Sequence, residues 1–572
     1  METSRPFPIR AQGRVLAGPA LLIAALALYG LANLYQLQLP GLYYDEALDA
    51  VPAMQLLAGQ PLDITRSFHL FGREWPLMVM TYVGSTTSYL VAPAFALFGV
   101  SVTVLRLVNI SLGVLTLVLA WGFLREFFDD RVAGIATLLL AANPTFIFWS
   151  RLGAFVSLPM LPLGIAALWA LYRWRQRRRD GYLILAAFCL GVGLTTKLLF
   201  LWFWVALGLA WLLLSPLLES GSGRRAWLWP FRRISRRTFV LACLALLAGC
   251  APLIAYNLAD LGTVTTVLDN FRRTSLYGVN NLSLLANLKT VVGTDLRMFL
   301  EGTWFGDSFG AVHANRLAVP ALAIALVVIL YLLARNRLEY SRTRVYLLLI
   351  LFVSILVQSA FTITGLGPTH LMILWPMPQA LIAMALLSIP TLIPASKRAL
   401  PALVVVLTLV LVASEAWTTW QYHRTLAATG GVGSFSDSIP ALASDLARDG
   451  VTRPIALDWG FRRSIQLLTG GRVNAEERFD YASHPTDVYR NYINDAVSRD
   501  SRSETSKVYL FHAPEHTVFE GHWEPFEEAA YRYGLTPVLS KTYRQRNGEP
   551  VSLVYRLEPA APLQSLPTVA KP

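Results

Sequence analysis

The sequence predicts a polytopic α-helical membrane protein with a polar α/β tail, and three observations predict it. The chain has 572 residues, of which 55% are hydrophobic and only 15% charged, where a soluble protein carries about 25% charged residues. Its mean hydropathy is +0.48. Continuous apolar runs of membrane-spanning length recur over the first 420 positions, and beyond them the composition turns polar. A soluble globule, a disordered chain and a fibre are excluded. So is a β-barrel, because the apolar runs do not alternate.

Apolar spans fall near 15–37, 104–123, 132–149, 155–172, 181–196, 198–215, 238–257, 317–334, 345–363, 370–389 and 399–418. The stretch 76–100 is ambiguous: it is apolar, yet it holds Pro76, Gly84, Pro93, Gly99 and the polar run Ser85-Thr86-Thr87-Ser88. Charge decides it. If 76–100 does not cross, the inner segments include 1–14 with three Arg, 173–180 with five, 216–237 with six, 335–344 with four, and Lys397-Arg398. If it crosses, every later loop flips and the Arg-rich 173–180 faces outward, against the basic-inside bias. The expectation is therefore 11 crossings, a cytoplasmic amino terminus, and a pair of interfacial or re-entrant helices over 76–100. Segments 38–103, 258–316 and everything after about 420 then lie outside the cytoplasm of a bacterial-type plasma membrane. The net charge of +13 reads as cytoplasmic loop charge, and no nucleic-acid partner is expected. Cys189, Cys243 and Cys250 sit in apolar segments without disulfide or metal spacing.

Two domains are expected, 1–419 in the membrane and 420–572 outside it. In the tail, Ile439–Arg448 patterns as an amphipathic helix, 454–458 and 507–511 as strands, and Pro525–Tyr533 as a helix with Pro at a favoured first position. Asn547-Gly548 predicts a type I′ hairpin turn, Thr429–Ser434 a glycine-rich linker, and the last segment disorder.

The residues that carry chemistry begin after the first span, with Tyr43-Tyr44-Asp45-Glu46-Ala47. Two adjacent carboxylates at the end of a membrane helix are costly unless solvated or used. One of them can serve as general base toward a hydroxyl; helix capping by Asp45 is the structural alternative. Other pieces follow in order: Glu74-Trp-Pro-Leu77, Phe98-Gly-Val-Ser101, Arg106-Leu-Val-Asn109, Asn143-Pro144 with Trp149-Ser150-Arg151, and Gly191-Val-Gly-Leu-Thr-Thr-Lys197. This ordered set, over roughly 15–215, resembles the GT-C membrane glycosyltransferases, among them the protein O-mannosyltransferases and the aminoarabinose transferases. Two departures are visible. No acid follows Ser150-Arg151, and Arg73-Glu74-Trp75 precedes a single Pro.

The resemblance implies a GT-C type fold and inverting transfer of a sugar from a polyprenyl-phosphate donor to a glycan, lipid or protein acceptor. It implies Asp45 as base and Glu46 as the acid that orients it or tunes its pKa. A phosphate leaving group needs cations. The candidates are Lys197, His370, Arg272, Arg273, Arg66, Arg73 and Arg151, with Tyr44 as a further substrate contact. His69 with Glu74 is a weak metal pair; a divalent metal is not otherwise indicated. Asp458-Trp459, His512, His516 and Trp523 suit glycan contact or core packing. Two other classes compete: a transporter or flippase-like permease, which favours internal repeats and charges deep within helices, and a membrane anchor for the tail.

Overall fold

A computed structural model describes residues 18–153, 157–218, 234–272, 278–392, 399–480, 484–502 and 507–560. The amino-terminal tail, most of the Arg-rich segment 216–237 and the carboxy-terminal end, each the subject of an expectation above, lie outside them. The chain forms two compact units. The first comprises 1–38, 48–307 and 311–425; the second comprises 39–47, 308–310 and 426–572.

The first unit is helical. Among the described residues, four helices are long and apolar enough to cross a membrane: Val102–Phe127, Leu198–Ser215, Arg236–Asp260 and Ala399–Thr429. Two bent pairs raise this to six if each is one span: Asp130–Ala142 with Pro144–Arg151, bent by 64°, and Pro368–Leu374 with Met377–Leu387, bent by 55°. Each bend has a local cause. Asn143 caps the second half of the first pair, its Oδ1 accepting from Phe146 N at 3.0 Å, with Pro144 in the next position. In the second pair Pro376, which has no N–H, follows the break. Gly18–Leu34, Asp180–Thr196 and Ala318–Ala334 are shorter apolar helices. Leu244, Leu247, Leu212, Leu213, Leu409 and Val410 point outward and are exposed. So large an apolar surface is stable only against a nonpolar solvent.

Small residues set the helix spacing. A Cβ on Gly191 would lie 2.4 Å from Leu246 O, and one on Gly249 would lie 2.6 Å from Val192 N. Helices Asp180–Thr196 and Arg236–Asp260 therefore meet backbone to backbone, which any larger side chain would prevent.

The stretch 76–100 departs from the expected helix pair. Strand β1 (Arg66–Leu70) pairs antiparallel with β2 (Arg73–Met80), which pairs with the short β3 (Val83–Gly84), and one helix follows over Thr86–Phe98. β2 is partly covered on both faces, with Pro76 and Met78 buried on one and Val79 on the other.

The second unit holds a five-stranded sheet in the order β5-β4-β6-β8-β7. β4 (Ile455–Ala456) runs parallel to β5 (Glu476–Glu477) and β6 (Tyr509–His512), and β8 (Pro550–Pro559) runs antiparallel to β6 and β7 (Leu535–Arg544). Helices Ile439–Arg448 and Trp523–Arg532 match the pattern read from the sequence; Arg462–Leu468 and Asp487–Asp500 add two that it missed. Phe526, Tyr509, Ile493, Val497 and Ile455 form the core. Trp523 packs on its margin against Phe511, Phe526 and Tyr555.

Two local expectations are corrected here. The β7–β8 turn is not type I′, because Asn547 does not adopt positive φ and only Gly548 does, at 91°. Gly548 N donates to Gln545 O and Gln545 N to Glu549 O, each at 2.9 Å, as in a three-residue loop closed by a glycine bulge. The glycine-rich 429–434 is not a free linker. Val432 N donates to Ser308 O at 2.9 Å, Phe435 N to Val432 O at 3.0 Å, and Thr429 Oγ1 to Phe309 O at 2.7 Å.

Phe526 is fully buried. Phe526→Ala should cost the second unit about 3–5 kcal/mol. Hydrogen exchange of the full-length protein in detergent should then speed up over 507–512 and 550–559 and stay unchanged over 102–127. Equal acceleration in both would show that the units unfold together.

Candidate functional site

The first apolar helix ends at Leu34, and its last carbonyls have no partner within the helix. Basic side chains from distant segments satisfy them. Arg151 donates from Nη2 to Ala32 O at 2.7 Å and Tyr35 O at 3.2 Å, and from Nη1 to Gln36 O at 3.3 Å. Arg106 donates from Nη1 to Leu37 O at 2.8 Å. His423 Nε2 lies 3.0 Å from Ala32 O, and its Nδ1 lies 3.2 Å from Gln36 Oε1. Both arginines are fully buried. Arg151, a candidate phosphate contact, is thus committed to the exit of the first helix. The Arg106–Asn109 and Ser150-Arg151 motifs serve that joint, with Asn109 Nδ2 donating to Arg151 O at 3.5 Å.

The acidic motif follows a few residues later, in the short helix Tyr44–Leu48. Asp45 is half-buried and Glu46 is buried. The Tyr44 hydroxyl donates to Glu477 Oε2 at 3.1 Å, and its ring lies 4.9 Å from that of Trp459. Glu477 Oε1 accepts from Arg462 N at 3.2 Å. Burial pushes the Glu477 carboxyl above its ordinary value, against the pull of the Arg462 N–H and the Tyr44 hydroxyl.

In the first unit, Lys197 closes the helix Asp180–Thr196 and is buried, its Nζ donating to Ser157 Oγ at 2.8 Å. The β2–β3 hairpin covers this turn. Val83 pairs with Lys197, Leu198 N donates to Tyr82 O at 3.0 Å, and Thr196 Oγ1 donates to Thr86 Oγ1 at 3.0 Å. Gly84 allows the approach, since a Cβ there would stand 2.2 Å from Thr195 O. His370 is buried. Its Nε2 lies 3.1 Å from Thr364 Oγ1, while its Nδ1 has no hydrogen-bond partner among the described residues. Ile373, Trp375 and Met377, just beyond it in the chain, line a small apolar pocket with Phe123, Leu161 and Phe203.

The other candidates are placed elsewhere. Arg66 pairs with Asp260 at 3.3 Å on an exposed edge. Arg73 starts β2, across from Leu70. Arg272 ends the helix Gly262–Arg272, and its side chain and Arg273 lie outside the described residues. His69 faces Glu74 across the β1–β2 pair. The Glu74 carboxylate is already engaged by Ser67 Oγ at 2.6 Å and Leu62 N at 2.9 Å, which hold it below its ordinary pKa. No group of three or more His, Cys, Asp or Glu suited to a metal occurs among the described residues. Asn281, in an Asn-Leu-Ser sequon, is buried with its amide bonded to Thr362 and Asn270.

Sequence reasoning quoted Arg106 in a motif without giving it a role, and missed Glu477 and Asp295. Asp295 is buried after the helix Leu284–Thr290, its Oδ2 has no partner among the described residues, and burial pushes its carboxyl up to about 6. The uncompensated acid in an apolar stretch was the available signal for Asp295. Nothing in the sequence marks Glu477.

Residues 85–256 match the family model described as dolichyl-phosphate-mannose-protein mannosyltransferase. Among curated proteins no sequence match is found. Among solved structures, ArnT from Cupriavidus metallidurans in the apo state is similar at 13% identity and a TM-score of 0.56, covering 93% of this chain and 97% of that one. The same protein bound to undecaprenyl phosphate gives a TM-score of 0.55 at the same identity and coverage. The archaeal oligosaccharyltransferase AglB from Archaeoglobus fulgidus, in complex with an inhibitory peptide and a dolichol-phosphate, is similar at 13% identity and a TM-score of 0.54, covering 96% of this chain and 75% of that one. The resemblance read from the sequence and these matches agree: the chain has the GT-C glycosyltransferase fold and, over residues 85–256, the sequence pattern of the mannosyltransferase family.

Proposed function

We propose that this protein is an inverting glycosyltransferase that moves a sugar from a polyprenyl-phosphate donor to an acceptor hydroxyl on the extracytoplasmic face. The observation that carries the reading is the acidic pair Asp45-Glu46 directly after the first apolar helix, with Asp45 open to solvent on one side and Glu46 buried. The polyprenyl carriers held by ArnT and AglB support the donor class. In this reading the membrane domain is 1–419 with 11 crossings, and 420–572 is extracytoplasmic; the acceptor is a glycan, lipid or protein.

The chemistry follows from the residue types. An Asp45 carboxylate oxygen takes the proton of the acceptor hydroxyl as the hydroxyl oxygen attacks the anomeric carbon. The bond from that carbon to the phosphate oxygen breaks, the configuration inverts, and polyprenyl phosphate leaves with the bonding pair. The ammonium of Lys197 stabilises the departing phosphate, and His370 adds a hydrogen-bond donor through Nδ1, which has no partner among the described residues.

Asp45→Asn should lower turnover by about 10²–10⁴-fold, assayed with undecaprenyl-phosphate pentoses and hexoses and an envelope lipid and glycan extract as acceptor. Binding of undecaprenyl phosphate should persist. Wild-type turnover in this variant rejects the base, and a wild-type protein inert toward the whole donor panel rejects the reaction.

Lys197→Ala should weaken undecaprenyl phosphate binding by about tenfold or more, the scale of one charge-assisted hydrogen bond. Unchanged affinity removes Lys197 from the donor site.

For topology, Phe71 at the β1–β2 turn is highly exposed. Phe71→Cys should react with an impermeant maleimide added outside intact cells, and Arg178→Cys should not. The reverse pattern overturns the assigned face.

A further inference from the structure

The acidic motif belongs to the same compact unit as the carboxy-terminal sheet, and four contacts tie it there. Gly41 N donates to Phe435 O at 2.8 Å. Ser464 Oγ donates to Leu42 O at 3.1 Å. The Tyr43 ring stacks on Phe435 with centroids 4.0 Å apart and planes within 3°. The Tyr44 ring packs against Trp459, and its hydroxyl reaches Glu477.

These contacts matter because the helix Tyr44–Leu48 has five residues. So short a helix has almost no stability of its own, and its direction is set by what its ends are attached to. Tyr44 is the residue before Asp45. Its side chain has two torsions; the ring is held at a tilt against Trp459 and the far end by the carboxylate. Glu477 is held in turn: it sits on β5, at the edge of the sheet, and its other oxygen accepts from the Arg462 backbone. A chain of fixed groups therefore runs from the sheet to the backbone of Asp45.

We infer that Glu477 is a positioning residue for Asp45, acting through the Tyr44 hydroxyl to hold the helix that carries the base. This rests on the reading of Asp45 as base. It gives the carboxy-terminal unit a direct part in the rate, beyond acceptor contact or structural support. A misplacement on the order of 1 Å in a reacting group can cost about 10²-fold, so even partial release of this helix is measurable.

The test uses the full chain and whichever donor of the undecaprenyl-phosphate panel the wild type turns over. Tyr44→Phe keeps the ring and removes only the hydroxyl. It should lower kcat by about tenfold or more while KM for the donor stays within about twofold. Glu477→Ala should do the same, and the double variant should be no worse than the poorer single, because both remove one shared contact. Glu477→Gln should recover most of kcat, its carbonyl facing the Arg462 N–H and its amide donating to the phenol oxygen. Unchanged kcat in Tyr44→Phe, additive losses, or a KM increase with kcat intact each overturn the inference; the last would make Tyr44 a substrate contact instead. If Glu477→Ala fails to fold, Tyr44→Phe and Glu477→Gln decide. The two readings separate cleanly. Turnover in Asp45→Asn removes the base, whereas an inactive Asp45→Asn with a fully active Tyr44→Phe removes only the positioning role.

Discussion

Two buried guanidinium groups, those of Arg106 and Arg151, close the end of the first apolar helix. Arg151 and Arg106 spend their N–H groups on the carbonyls of residues 32–37. Burying such a charge is expensive unless it is hydrogen-bonded. Here the carbonyls needed donors anyway, and the negative end of the helix dipole lies in the same place. Each cost cancels part of the other. The joint ties together the first helix, the long helix Val102–Phe127, the bent pair ending at Arg151 and, through His423, the last helix of the first unit.

A second set of restraints orders Lys197. It lies in a turn covered by the β2–β3 hairpin, where Gly84 lets two backbones meet and Val83 pairs with Lys197 itself. The hairpin supplies the backbone partners that an apolar surrounding denies. The polar side chains of the first unit are held mostly by backbone carbonyls, which is the economical arrangement where ion pairs must be desolvated.

Much of this was legible beforehand, for identifiable reasons. The apolar runs located the helices because a membrane core demands long continuous hydrophobicity. The amphipathic pattern of Ile439–Arg448 and the proline at the start of Trp523–Arg532 located two helices of the second unit closely. The 76–100 stretch was misread because strand β2, partly covered on both faces, is apolar enough to mimic a helix segment. The type I′ turn was misread because Asn-Gly also suits a turn in which only the glycine takes positive φ. The candidate cations were chosen by residue type, and type cannot tell Arg151, which serves carbonyls, from Lys197, which donates to the Ser157 hydroxyl.

By itself the sequence determined the solvent of each part of the chain, the helical class of the first unit, and the order of motifs that resembles GT-C enzymes. These depend on composition and local spacing, which are properties of contiguous residues. Only the tertiary structure decided which carbonyls Arg106 and Arg151 satisfy, that Tyr44 is bonded to Glu477, and that Lys197 is bonded to Ser157. Those partners are separated by tens to hundreds of positions. No local pattern encodes such a pairing; it exists only where folding has excluded water and brought distant polar groups within reach of one another.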